Sequence, residues 1–152
     1  MLNTEKFTKK SLIIIEEAVS AASELGHTYV GSEHILLAMA DIGTTEAADL
    51  LIENGIAYDD LYSAIVELVG QGTPSVLDQR YFTTATKRIL ESSYRIAAED
   101  GRKQASPEHI LAAILKEPSC SACTVMKKIG GNIVGICSGL IMIDSERVRS
   151  DL

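Results

Sequence analysis

Slid along itself by 75 positions, the chain matches itself without a gap. Phe7-Thr8 falls on Phe82-Thr83, Ile14 on Ile89, Glu16 on Glu91, Ala22 on Ala97, Glu24 on Glu99 and Gly26 on Gly101. The strongest block, Glu33-His34-Ile35-Leu36, falls on Glu108-His109-Ile110-Leu111, and Ala38, Ala47 and Gly55 fall on Ala113, Ala122 and Gly130. One offset held across so many positions is duplication, so the 152 residues must be two copies of one small unit that cover each other's apolar faces.

Each copy reads as four helices. Thr8 is an N-cap, after which Ser11, Ile14, Ile15, Ala18 and Ala22 follow the spacing of one helical face, and Gly26 ends the helix as a C′ glycine. A second helix starts after Gly31-Ser32, a third spans about Thr45 to Asn54, and a fourth about Tyr58 to Val69. Gly70 to Ser75, with Gly, Pro and Ser together, is the linker. In the second copy Thr83 opens and Gly101 closes the first helix, Ser106-Pro107 starts the next, and a third covers about Ser119 to Ile129. A last helix begins at Asn132, weakened by Gly135 and Gly139, and the polar tail from Asp144 is expected to fray. The predicted layout is an all-α domain of two tandem pseudo-symmetric four-helix repeats: residues 1–70, a linker 71–80, residues 81–143, and a tail 144–152.

Composition narrows the function. The apolar content is 46% with no Trp, so Ala, Leu, Ile and Val carry the core. A net charge of −7 argues against nucleic acid as the main partner, because phosphate backbones need a basic footprint. No leader pattern opens the chain, the longest apolar stretch, Ile133 to Ile143, is too short for a membrane span, and a cytoplasmic location is the default expectation. Three cysteines, Cys120, Cys123 and Cys137, suit a reducing compartment. Cys120 and Cys123 form a CxxC, but no second CxxC accompanies it, and helix packing is preferred to redox or zinc chemistry.

The run Gly26-His27-Thr28-Tyr29-Val30-Gly31-Ser32-Glu33-His34-Ile35-Leu36-Leu37-Ala38 resembles the signature of the Clp N-terminal repeats of AAA+ unfoldases. The Phe-Thr pair ahead of each first helix and the paired Glu-His-Ile-Leu blocks are similar too, closest to the ClpC type, over about residues 5–143. The resemblance implies two four-helix repeats packed as one globule, and a non-enzymatic module that receives adaptor proteins and unfolded substrates for an ATP-driven unfoldase ring. The sequence itself holds no phosphate loop, so ATP hydrolysis is not expected within it. A stand-alone repeat protein that competes for adaptors is the alternative, and the chain is expected to be monomeric in isolation.

Some ClpC-type domains recognise arginine-phosphorylated proteins, and the resemblance carries that site onto Thr8 and Glu33 in the first copy and onto Thr83 and Glu108 in the second. The chemistry is coherent: helix N-termini favour a phosphate and a carboxylate favours a guanidinium. The plainer reading is that the threonines are caps and the glutamates complement helix dipoles. The second copy departs from the pattern at Arg102-Lys103-Gln104-Ala105-Ser106-Pro107, which makes it the weaker site. His34 and His109 read as hydrogen-bonded structural residues, with a small hydrolase using one of them as a distant third reading, and His27 reads as a surface loop residue. No metal site and no cofactor is expected.

Overall fold

The computed structural model describes the backbone of residues 2–151 and the side chains of residues 2–146. Among these, the helices are α1 (Lys9–Glu24), α2 (Ser32–Ile42), α3 (Glu46–Glu53), α4 (Tyr58–Val69), α5 (Thr84–Glu99), α6 (Pro107–Leu115), α7 (Ser121–Lys128) and α8 (Ile133–Asp151). Short 3-10 turns at Thr4–Lys6 and Gln79–Tyr81 precede α1 and α5. The second of these straddles the end of the stretch, residues 71–80, read from sequence as linker.

The caps set these boundaries. Thr8 and Thr83 accept the backbone N–H of Ser11 and Thr86, the N3 residues of α1 and α5, and Thr45 caps α3 through Ala48. At the other end, Gly26 and Gly101 adopt φ of 73° and 74°. The next residues, His27 and Arg102, donate back to Ala22 and Ala97 at 3.0 and 2.8 Å, which closes a Schellman motif in each copy.

α2 and α6 form the centre. Every residue of α2 from Ser32 to Met39 is buried, as is expected of a helix with partners on all sides. α2 packs on α1, α3, α4, α5, α6 and α7, and α6 packs on α1, α2, α3, α5, α7 and α8. The core therefore runs through both copies without a seam.

The copies interlock. Phe7 pairs in a parallel bridge with Ala105, and Phe82 pairs in the same way with Val30. These two bridges are related by the 75-residue offset of the sequence, so each copy pins the start of its first helix to the other copy's loop. Side chains reinforce the exchange: the Ser11 hydroxyl donates to the Ala105 carbonyl at 2.8 Å and the Thr86 hydroxyl to the Val30 carbonyl at 3.0 Å, both buried. Thr86→Val keeps the shape and deletes this bond. It is expected to lower the unfolding free energy by about 1–2 kcal/mol in urea titration. An unchanged midpoint would mean that the Thr83 N–H alone, 3.1 Å from the same carbonyl, satisfies it.

The structure corrects the reading of the last helix. Gly135 and Gly139 are contact points: a Cβ at Gly135 would collide with the Asn54 side chain, and one at Gly139 with a Leu50 methyl group of α3. The glycines let α8 approach α3 closely, and packing offsets their poor propensity. The backbone of α8 also continues helical past Asp144 to Asp151, where a frayed tail was expected. No Gly or Pro interrupts that stretch. No single helix among the described residues is long and apolar enough to cross a membrane.

Candidate functional site

Thr8 and Glu33, paired from sequence within the first copy, sit at opposite ends of α1. Thr8 caps its start, while Glu33 opens α2 beyond its finish, and the 16 residues of α1, about 24 Å of helix, run between those two ends. The interlocking brings together different pairs. The Thr8 N–H donates to Ala105, three residues before Glu108, and the Thr83 N–H donates to Val30, three residues before Glu33. Each candidate site is thus built from both copies, and the expected pairing is corrected from within copies to across them.

The Thr8–Glu108 site is an open cleft of about 390 Å³ lined by Thr8, Lys9 and Lys10 at the start of α1, Thr45, Glu46 and Asp49 at the start of α3, and Ser106 and Glu108 at the start of α6. Three helix N-termini converge on it. Beyond the Ser11 N–H that Thr8 caps, the first N–H groups of α1 have no carbonyl one turn back to bond, which makes this helix start a favourable place for an anion. One wall carries two ammonium groups and the others carry three carboxylates. Sequence reading did not single out Lys9, Lys10, Glu46 or Asp49. The signal was present in Lys9-Lys10: cations in the first turn oppose the helix dipole, so they are poorly placed for helix stability.

At the Thr83–Glu33 site the carboxylate is buried and tied down. Glu33 is 2% exposed, and its carboxylate accepts from the Tyr29 hydroxyl at 3.1 Å and from the Ser121 hydroxyl at 2.8 Å. Burial, then the neighbouring carboxylate, pushes the Tyr29 phenol up, so it stays a donor. The carboxylate also leans over Gly31, where a Cβ would strike it. His34 Nδ1 is 3.9 Å away, but burial holds that imidazole down to about 4 and it is neutral near pH 7, so Glu33 is fixed by hydrogen bonds and not by an ion pair. Glu108, 8% exposed against 2% for Glu33, is the less buried of the two carboxylates, in spite of Ser106-Pro107.

The histidines are structural. In both copies a backbone N–H, of Gly31 or Ser106, donates to the imidazole Nδ1 three residues on, at 2.9 and 3.0 Å. His34 Nε2 then lies 2.7 Å from His27 Nδ1, and His27 Nε2 lies 2.8 Å from the Gly70 carbonyl. His27 is 5% exposed, which corrects its assignment as a surface residue. In the second copy Asp100 takes that place, 3.0 Å from His109 Nε2, and the Ser106 hydroxyl lies 2.8 Å from Nδ1. The Ser-His-Asp order is a helix cap and not a nucleophile: the Nδ1 lone pair already accepts the Ser106 N–H, as it does in the first copy, where glycine offers no hydroxyl. No cluster able to hold a metal occurs among the described residues.

The family profile of the Clp repeat (R) N-terminal domain matches residues 6–129. The chloroplastic chaperone protein ClpC of Pisum sativum is 33% identical over 146 residues, 96% of this chain and 16% of that protein. The chain thus spans about a sixth of that relative's length. Among solved structures, the N-terminal domain of the ClpD chaperone from Arabidopsis thaliana superposes with a TM-score of 0.75 at 22% identity, over 91% of this chain and 96% of that one. A ClpV N-domain in complex with a VipB peptide superposes at 0.67 with 21% identity, over 92% of this chain and 88% of that one. Both show the same fold.

Proposed function

This chain belongs to the Clp repeat N-terminal family, and from that premise we propose that it is a non-catalytic docking module that receives adaptors and substrate proteins for an AAA+ chaperone, with arginine-phosphorylated segments among its ligands. The observation that supports the ligand class is the charge layout of the Thr8–Glu108 cleft. Phosphoarginine carries an anion and a planar cation a few atoms apart. The start of α1, with Lys9 and Lys10, suits the phosphoryl group, and the carboxylates of Glu108, Glu46 and Asp49 suit the guanidinium. Plain arginine would lose the first interaction, and phosphoserine the second. The peptide bound to the related ClpV N-domain is consistent with a peptide-docking role.

Calorimetric titration with free phosphoarginine tests this, with arginine and phosphoserine as controls. Glu108→Ala and the double change Lys9→Ala with Lys10→Ala are each expected to weaken binding at the cleft tenfold or more, since each removes a charge-assisted contact. Glu33→Ala reports on the related Thr83–Glu33 site, and the stoichiometry separates the two. Equal binding of arginine and phosphoarginine, or no binding at millimolar ligand, would leave a docking surface for folded adaptors as the surviving role.

A further inference from the structure

The CxxC of the sequence lies at the start of α7, beside the Glu33 site. Cys120 is the N-cap residue and Cys123 the third residue of the helix. An N-cap side chain points back over the third helical residue, so this spacing turns the two side chains toward each other. Both sulfurs converge on the Ile114 carbonyl, at 3.7 Å from Cys120 and 3.4 Å from Cys123. Neither cysteine is more than 5% exposed, but Ser119 and Ser121 on either side of Cys120 are at the surface. The Cys123 thiol and, after it, the Cys123 N–H lower the Cys120 thiol toward the thiolate against the effect of burial.

The two residues between the cysteines carry one of the two hydrogen-bonded supports of Glu33, the other being Tyr29. The Ala122 N–H donates to Ser32 Oγ at 2.9 Å. Ser32 and Ser121 hydroxyls lie 2.9 Å apart, and the Ser121 hydroxyl donates to the Glu33 carboxylate at 2.8 Å. Since the backbone N–H can only donate and the carboxylate can only accept, the chain has one direction: Ala122 to Ser32 to Ser121 to Glu33.

We propose that Cys120 and Cys123 form a reversible disulfide, and that closing this ring around Ser121 and Ala122 disrupts the chain that orients Glu33 and so switches the Glu33 half of the binding module. The Glu33 part rests on the binding role proposed above; the disulfide does not. With hydrogen peroxide as oxidant, the Cys120 thiolate attacks one oxygen and breaks the O–O bond. This leaves a sulfenic acid and a hydroxide, which takes up the proton Cys120 released. The Cys123 sulfur then attacks the sulfenic sulfur, the S–S bond forms, and the S–O oxygen leaves with the Cys123 proton as a second water. Two thiols are oxidised by two electrons and one peroxide is reduced to two waters. A thiol reductant reverses the reaction by exchange.

The intact protein is treated with hydrogen peroxide, then alkylated under denaturing conditions and weighed. The expected product has lost two hydrogens, carries one alkyl group, on Cys137, and recovers all three labels after dithiothreitol. Cys120→Ser and Cys123→Ser should each abolish the mass loss. Labelling of Cys120 and Cys123 undiminished by oxidant, or a disulfide through Cys137, overturns the proposal. In a Glu108→Ala background, phosphoarginine binding should weaken about tenfold on oxidation, and Ser121→Ala should reproduce that loss in the reduced protein. An affinity unchanged by a fully formed disulfide overturns the switch. If neither redox form binds phosphoarginine, the binding role fails, and amide NMR still judges the switch: shifts at Ser32 and Glu33 on oxidation support it, and their absence overturns it.

Discussion

Gly26→Ala is expected to destabilise the protein by more than about 3 kcal/mol, and Gly101→Ala, its counterpart 75 residues on, by about 1–2 kcal/mol. Both glycines hold the same left-handed turn with the same Schellman bonds, so the backbone strain of an added Cβ is shared. Their surroundings differ. A Cβ on Gly101 meets nothing within 4 Å, whereas one on Gly26 runs into the backbone of Gly72, where the linker crosses the end of α1. That crossing is pinned by the Gly72 N–H to the Leu25 carbonyl at 2.9 Å and by the Ser23 hydroxyl to the Ser75 carbonyl. Backbone cannot rotate aside as a side chain can, so the Gly26 variant must detach the linker or distort the turn. Urea denaturation of both variants at unchanged m-value measures the difference. Equal midpoints would mean that the linker lifts away at little cost and that only the turn conformation matters.

The same pair of glycines shows what the sequence makes legible. Both C′ positions, and the caps at Thr8, Thr45 and Thr83, are local events governed by a few neighbouring atoms, and α4 begins and ends where its pattern says. Tertiary context is a different matter. Duplication assigns Thr8 and Thr83, or Glu33 and Glu108, equivalent roles, but it carries no information on which copy's helix start meets which copy's loop. Pairing within a copy and pairing across copies obey the same sequence symmetry, and the bridges Phe7–Ala105 and Val30–Phe82 select the second. Gly135 and Gly139 were misjudged because helix propensity was weighed without the Leu50 and Asn54 side chains they must clear. His27 was misjudged because a loop residue is usually exposed, and nothing local reveals that Gly70, 43 positions away, supplies its acceptor.

The buried His34 imidazole is expected to give an acid-linked loss of stability of about 3 kcal/mol between pH 6.5 and pH 4. The Gly31 N–H can only donate, so His34 Nδ1 must accept. Nε2 then carries the proton and donates to His27 Nδ1, and His27 Nε2–H donates to the Gly70 carbonyl. A proton added to His34 Nδ1 would face the Gly31 N–H, so charging the ring breaks the chain at its first bond. Burial is the largest influence holding the His34 imidazole down to about 4; His27 acts in the same direction and Glu33 opposes both. The sign follows from proton binding. Between the unfolded value of 6.5 and the folded value near 4 the unfolded chain binds the extra proton, so stability is full above pH 6.5 and falls as the pH drops toward 4. His34→Asn keeps an acceptor for the Gly31 N–H but does not titrate. It is expected to be less stable than the parent at pH 7 and to show a flatter pH dependence down to pH 4. Urea titrations at half-unit intervals give both slopes, and an imidazole NMR titration shows directly whether His34 stays neutral at pH 5. Parallel slopes in parent and variant would move the acid sensitivity to the carboxylates, and Gly70 would then be held to the α1–α2 turn by a hydrogen bond indifferent to pH.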